Sequence, residues 1–296
     1  FECMLADDSK KHEKKMTGQV YVEPKLDGVR VITVCDVDKD EVRMYSRNGK
    51  ELNNFPKILE QFDSMLDQMS ESMVFDGEVM SDDFQTLMRE IHRKGGAKTD
   101  DAVLNVFDCL PLEAFKEGGY AGSLTVRKGM LEQYEFGPNI SKVEFVRMNL
   151  DDDDGQKQFA DYNKLCIDKG FEGIMVKPMG GIYECKRSSL WLKVKPFIEV
   201  SLKVVDTEEG TGRNAGKLGA LIVEGKDMDK FIKTNVGSGL TDTDRETFWQ
   251  AKDKLIGQIV EVRADAITQN QDTQNEWSLR FPRFLRFRGF EPGEKI

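Results

Sequence analysis

The chain has 296 residues, with 53 acidic against 43 basic side chains and a formal net charge of -10. It is long enough for two domains with real cores, and its acidic balance counts against a protein that coats nucleic acid through bulk charge. Local basic surfaces stay open, because affinity follows the phosphates contacted and not the whole-chain sum.

Hydrophobic residues at 39% and charged residues at 32% fit a soluble globular chain. No apolar run approaches the roughly 20 residues of a membrane helix, and no signal peptide is visible. Cys3, Cys35, Cys109, Cys166 and Cys185 are scattered, without a Cys-x-x-Cys pair and with only His12 and His92 beside them. A zinc site is therefore not expected; reduced thiols in a cytoplasmic compartment are. The first residue is Phe1, so an upstream piece is expected to precede it.

In chain order, residues 1–18 read as a lead-in: an apolar Met4-Leu5-Ala6, then a loose charged run from Lys10 to Lys15. Alternation and β-branched content predict strands over 19–23, 29–37 and 41–46. Tyr45-Ser-Arg-Asn-Gly49 reads as a strand end entering a turn. A helix is predicted over 56–69, a strand over 74–79, and a helix opening at Asp82 or Asp83 and running through Ile91. Strands follow at 102–108 and 143–148, with a helix over 124–134 before the second. The acidic run Asp151–Asp154 could pass for a metal cluster; the better reading is the start of a helix, whose N-terminal dipole favours anions. That helix ends near Gly170. Strands at 172–177 and 190–196 close this region, the latter placing Lys193 and Lys195 on one face.

Near Pro196–Phe197 the pattern changes to strands separated by glycine turns: 199–205, 218–224, 230–236, 258–268 and 279–287, with one helix over about 242–255 capped by Thr241 or Asp242. Five strands and a helix in this length suit a small Greek-key barrel of the OB type.

Between the first two strands lies Glu23-Pro-Lys25-Leu-Asp-Gly28. Pro24 ends a strand ladder and Asp27-Gly28 is a turn dipeptide, so Lys25 is presented from a tight mount, as amine nucleophilic catalysis requires. Taken alone, the pattern is a hairpin turn with a solvated lysine. Lys193-Val-Lys195 alone is the solvent face of an edge strand, and Phe107 alone is equally core or function.

Taken together they say more. Lys25-Leu-Asp-Gly-Val-Arg30 resembles the nucleotidyl-lysine motif of the ATP-dependent DNA ligases and their relatives, the RNA ligases and mRNA capping enzymes, and five further stretches follow in that family's order. The resemblance implies an α+β nucleotidyltransferase (ATP-grasp-like) core of antiparallel sheets with helices over 1–197, then an all-β OB-fold barrel domain over 198–296. It implies Lys25 as the nucleophile that attacks the α-phosphate of ATP and carries AMP. Met4-Leu5-Ala6 and Glu23 are implied at the adenine, Phe107 stacking on it, and Arg30 and Arg47 near the ribose and the nick phosphate. Glu78 and Glu172 are implied at ribose and magnesium, Lys177 in the nucleotide pocket, and Lys193 and Lys195 at the α-phosphate. A free lysine has a pKa of about 10.4 and must lose its proton to attack, which nearby cations assist.

Arg280-Phe-Pro-Arg283-Phe-Leu-Arg286-Phe-Arg288 is a basic strand on general grounds. It also resembles the C-terminal ligase motif whose arginines orient the pyrophosphate. Where that motif often continues with Asp-Lys, this chain reads Gly289-Phe290-Glu291, which leaves any contact of that lysine without a counterpart. The glycine-rich Gly210–Gly219 loop lacks both the P-loop and the dinucleotide patterns; its Arg213 and Lys217 are placed at the DNA backbone. The resemblance spans nearly the whole chain, and no separate N-terminal DNA-binding domain is expected in it. It implies a small ligase of the phage or bacterial type that seals nicked double-stranded DNA with ATP and Mg2+, as a cytoplasmic monomer, with the OB domain swinging about Pro196. An RNA ligase, a GTP-using capping enzyme and a catalytically silent clamp are the alternatives.

Overall fold

The computed structural model describes residues 1–81, 100–269 and 276–289, and the chain divides into two compact units, Phe1–Lys195 and Pro196–Ile296. The helix expected from Asp82 or Asp83 through Ile91 lies outside the described residues.

The first unit runs β1 (Leu5–Asp8), β2 (Gln19–Pro24), β3 (Val29–Asp36), β4 (Glu41–Ser46), α1 (Pro56–Asp63), β5 (Met73–Met80), β6 (Val103–Pro111), α2 (Leu112–Lys116), β7 (Gly119–Tyr120), α3 (Leu124–Glu132), β8 (Ile140–Lys142), β9 (Val146–Asn149), α4 (Asp153–Asp168), β10 (Ile174–Pro178), β11 (Tyr183–Glu184) and β12 (Arg187–Val194). They form two five-stranded sheets, in the orders β1-β12-β10-β2-β9 and β4-β3-β5-β6-β8. Most neighbours are antiparallel; β1–β12 and β6–β8 are parallel.

The period-2 alternation of strands decides what faces what. Val31, Phe75, Leu104 and Val106 pack under α1, while Ile32, Val74 and the partly buried Phe107 turn to the opposite side and join Met4, Tyr183 and Trp191. On the first sheet Val20, Val22, Ile174, Val176 and Leu192 pack with Cys166 and Phe159 of α4. Their sequence neighbours Glu23, Lys177 and Lys193 therefore point the other way. The polar residues of interest belong to the faces that the outer cores leave over.

The structure alters several expectations. The lead-in is not loose: Leu5–Asp8 is a strand against β12, and two 3-10 turns follow, Ser9–Lys11 and Glu13–Lys15. The helix expected to reach residue 69 stops at Asp63, where the Ser64 hydroxyl donates back to the Gln61 carbonyl and competes with the helical ladder. A 3-10 turn at Leu66–Gln68 completes the burial of Leu66 and Met69. The acidic run does begin α4, with Asp152 as its cap accepting from the Gly155 N–H at 2.6 Å.

The second unit runs β13 (Ile198–Glu209), β14 (Leu218–Asp227), β15 (Lys230–Val236), α5 (Asp242–Gln250), α6 (Lys252–Leu255), β16 (Ile259–Ala264), β17 (Ala266–Gln269), β18 (Glu276–Arg280) and β19 (Arg283–Gly289). Its strand order is β17-β18-β15-β14-β13-β16-β19. Two of the expected strands are each broken in two: one at Asp265, the other at Phe281-Pro282, where Pro282 has no N–H to give a ladder and Phe281 has a φ of 49°. The core is built from Val200, Val204, Leu221, Val223, Val260 and Val262, with Phe248 of α5 packed edge-on to Phe284 and Phe287. Thr241 and Asp244 cap α5 reciprocally. Among the described residues no helix is long and apolar enough to cross a membrane.

Candidate active site

Lys25 follows the end of β2, and its backbone is tied to the segment before β10. Its N–H donates to the Gly173 carbonyl at 2.9 Å, and the Glu172 N–H donates to the Lys25 carbonyl at 3.3 Å. Gly173 has φ +146°, and a Cβ there would meet the Val194 carbonyl oxygen at 2.0 Å, so only glycine lets this segment lie against β12. The Lys25 ammonium donates to Oε2 of Glu172, and the Lys195 ammonium lies 3.5 Å from the same oxygen. Lys193 is pushed down to about 8 by burial, then by the positive charges of Lys195 and Lys25, with Asp8 acting against them.

One rung of the first sheet carries much of the site. Met175 is the register partner of Lys193 on one side and of Glu23 on the other. Lys193 and Glu23 thus stand on one face, two strand spacings or roughly 10 Å apart.

Glu23 is 1% exposed. Its Oε1 accepts from the Lys128 ammonium of α3, and its Oε2 from the Lys177 ammonium at 2.8 Å. Burial works against the Glu23 carboxylate, but Lys128 and then Lys177 hold it below the usual carboxylate range. Lys177 itself is lowered, by burial first and by Lys128, against the pull of Glu23. Lys128 also donates to the Phe107 carbonyl at 2.9 Å. The Phe107 ring meets Trp191 edge-on at 5.7 Å, with the Lys177 ammonium 4.5 Å and the Arg30 guanidinium 5.0 Å from its centroid.

Arg30 is bidentate to the buried Asp76 and donates to the Met4 carbonyl at 2.9 Å. Tyr183 donates its hydroxyl to Asp76 at 2.7 Å. Glu78 accepts from the Gly28 N–H at 3.1 Å. Gly28 has no room for a side chain, since a Cβ would meet the Val79 carbonyl oxygen at 2.2 Å. Arg47 lies in the turn closed by the Gly49 N–H on the Ser46 carbonyl.

In the second unit Glu261, 4% exposed, gathers two of the C-terminal arginines: Arg286 through Nε at 2.6 Å and Arg288 through a terminal nitrogen at 2.5 Å. Arg283 pairs with Asp265 at 2.9 Å. Arg213 is exposed in the 3-10 turn Gly212–Asn214, and Lys217 pairs with Glu246 of α5 at 2.5 Å.

A family model for the ATP dependent DNA ligase domain matches residues 3–195, and one for the DNA ligase OB-like domain matches residues 209–288. The chain belongs to the ATP-dependent DNA ligase family. The DNA ligase of Haloarcula marismortui is 32% identical over 294 residues, covering 90% of this chain and 51% of that protein. That of Natronomonas pharaonis is 30% identical over 298 residues, covering 92% and 52%. The chain spans about half the length of the curated relatives it matches. A solved structure, Pmar-Lig_Pre., is 47% identical with a TM-score of 0.67, over 98% of this chain and 68% of that one. The ATP-dependent DNA ligase of bacteriophage T7 in complex with ATP has a TM-score of 0.52 at 19% identity, over 97% of this chain and 98% of that one, and shares the fold.

Magnesium is implied for this ligase family. Among the described residues no group of three or more His, Cys, Asp or Glu side chains could hold an ion. Magnesium needs none, because it keeps waters and takes one or two carboxylates alongside substrate phosphates. Glu172 beside Lys25 and Glu78 beside the Gly28 turn fit that donor set.

The structure thus brings Glu23, Lys177 and Lys193 of the ligase motifs onto one sheet, with Lys25, Glu172 and Lys195 just beyond the ends of its strands, and Arg30, Glu78 and Phe107 onto the other. Sequence reasoning passed over Lys128, Arg127, Asp76 and Trp191. The signal for the first two was there. Leu124, Arg127, Lys128 and Leu131 are the buried residues of α3, at i, i+3, i+4 and i+7, and two cations in such a stripe need buried partners.

Proposed function

We propose that this chain is a nick-sealing ligase: it takes AMP from ATP onto Lys25, passes it to the 5′-phosphate of a break in duplex DNA, and seals the strand. The observation that carries the reading is the Lys25 ammonium held on Glu172, with Lys195 on the same carboxylate and Lys193 beside both.

In the first step Lys25 gives up one proton to become a nucleophile and a second as the Nζ–Pα bond forms. The bond from Pα to the bridging oxygen breaks, and pyrophosphate leaves with its electron pair. Lys193 and Lys195 bring positive charge to the α-phosphate oxygens, where it is needed as the transition state spreads charge outward. Glu78 and Glu172 would hold the magnesium ion, which supplies charge neutralisation at phosphate oxygens. AMP then moves to the DNA 5′-phosphate, and the 3′-hydroxyl displaces it.

The first unit is read as the adenylylation domain, with Phe107 and Glu23 at the base and Lys177 between them. Arg283, Arg286 and Arg288 are read as anion contacts of the OB-like unit; each is held by a carboxylate of its own unit and must exchange it for phosphate oxygen. Arg47, Arg213 and Lys217 are read as contacts to the DNA backbone. The protein is read as a cytoplasmic monomer; five free, buried cysteines suit a reducing compartment.

The test is the intact mass of wild-type protein and Lys25→Ala after incubation with magnesium and either ATP or GTP. An AMP-sized gain with ATP alone, absent in Lys25→Ala, is the expected result. A GMP-sized gain would move the chain to capping chemistry. No gain from protein shown to start unadenylylated would leave a clamp without chemistry.

A further inference from the structure

Lys128 has no counterpart among the residues so far given a role, yet it is the shared partner of two that have one. Its ammonium joins the Glu23 carboxylate of one sheet to the Phe107 carbonyl of the other. Its helix is pinned one residue away, where Arg127 is bidentate to Asp108 at 2.8 and 3.1 Å; Asp108 follows Phe107 directly. Lys128 is thus fixed from both ends, and it is 4% exposed. The rung from Lys193 through Met175 to Glu23 is roughly 10 Å across at the backbone, of the order of the distance from a nucleotide's α-phosphate to the far edge of its base. A nucleotide with its phosphate at Lys193 would turn the edge of its base toward Glu23. The Phe107 ring offers the flat face that any purine can stack on, so stacking does not choose among purines. Glu23 can.

We propose that Lys128 is the positioning residue for base selectivity: by fixing the Glu23 side chain as an acceptor, it makes the site take a 6-aminopurine and refuse a 6-oxopurine. A carboxylate held opposite the 6-position accepts from the adenine amino group, whereas the 6-oxo group of hypoxanthine or guanine meets it oxygen to oxygen, and the N1–H of those bases is reached only if the side chain turns. Lys177 alone holds only the other carboxylate oxygen and leaves Glu23 free to turn. The inference rests on the ATP-using reading of the site.

The experiment follows the rate of nucleotidyl-lysine formation by intact mass, with ATP and with inosine triphosphate, whose base has a 6-oxo group and an N1–H in place of the 6-amino group and bare N1. Protein is first discharged with pyrophosphate. Lys128→Met is expected to lower the ATP-to-ITP rate ratio at least 10-fold, Lys128→Arg to restore most of it, and Glu23→Gln, whose amide can donate to a 6-oxo group, to relax it in the same direction. Equal losses with both nucleotides in Lys128→Met, with the ratio unchanged, would overturn the inference and leave the ligase reading standing. If Lys128→Met does not fold, the ratio in Lys128→Arg and Glu23→Gln decides, and an unchanged ratio in Glu23→Gln overturns the inference. A wild-type protein that gains no AMP would remove the ligase reading and this inference together.

Discussion

The Lys25 ammonium is hydrogen-bonded to Oε2 of Glu172, 147 residues further along the chain. The bond aims the amine, and the backbone bonds between Lys25 and residues 172–173 hold both ends of the arrangement. Glu172→Gln keeps the shape and an acceptor while removing the charge. Adenylylation should then slow on the order of 100-fold, with Glu172→Ala slower still and the melting temperature little changed. Time courses of intact mass measure it. A glutamine variant as fast as wild type would take the carboxylate out of the mechanism.

Lys193 predicts a proton uptake. Its amine is pushed down to about 8, first by burial and then by Lys195 and Lys25, so near pH 8 it is about half protonated in the free protein. Phosphate oxygens beside it favour the ammonium. ATP binding to a Lys25→Arg protein, which cannot react, should therefore take up a fraction of a proton at pH 8–9. Calorimetry in two buffers of different ionisation enthalpy reads this, and adding Lys193→Arg should abolish it. The same shift has a stability sign. With a folded value below the unfolded 10.5, Lys193 opposes folding fully below about 8, and the penalty fades as pH rises toward 10.5.

Arg127 and Asp108 are both 1% exposed, and Arg127 also donates to the carbonyls of Gly122 at 2.6 Å and Gly181 at 2.9 Å. Removing one partner of such a pair leaves a buried charge. Arg127→Met should cost about 3–5 kcal/mol, and Arg127→Met with Asp108→Leu distinctly less. Urea unfolding followed at Trp191, with Trp249 and Trp277 replaced by phenylalanine, gives the numbers. Equal costs for the single and double variants would mean that packing, not charge, is at stake.

DNA affinity should fall with salt, because each phosphate that a local cation contacts releases condensed counterions, and the slope counts those contacts. Lys217→Ala should weaken nicked duplexes of any sequence alike and reduce the slope of log affinity against log salt by about 1. A flat salt titration of the wild type would exclude a phosphate-led interface.

Lys25 and its neighbours stood out in the sequence because their signals are local. Lys25 sits between two strand patterns with a proline and a glycine around it, and Lys193-Val-Lys195 closes an apolar strand. Hydrophobic period also marked most strands and the helix behind the acidic run, since a face that must be buried repeats at the element's own spacing. Breaks inside elements were less visible: Ser64, Asp265 and Phe281-Pro282 act through single hydrogen bonds or one missing N–H, which a window of hydrophobicity does not register.

What the chain alone determined, then, is the lysine, its mount, the order of the motifs and the apolar faces. What only the tertiary structure decided is pairing: Lys25 with Glu172, Glu23 with both Lys128 and Lys177, Arg30 with Asp76, Glu261 with Arg286 and Arg288. Secondary structure forms from contacts close in sequence, but a buried charge takes its partner from whatever strand or helix the packing of the cores brings opposite it, and no spacing in the sequence encodes that distance.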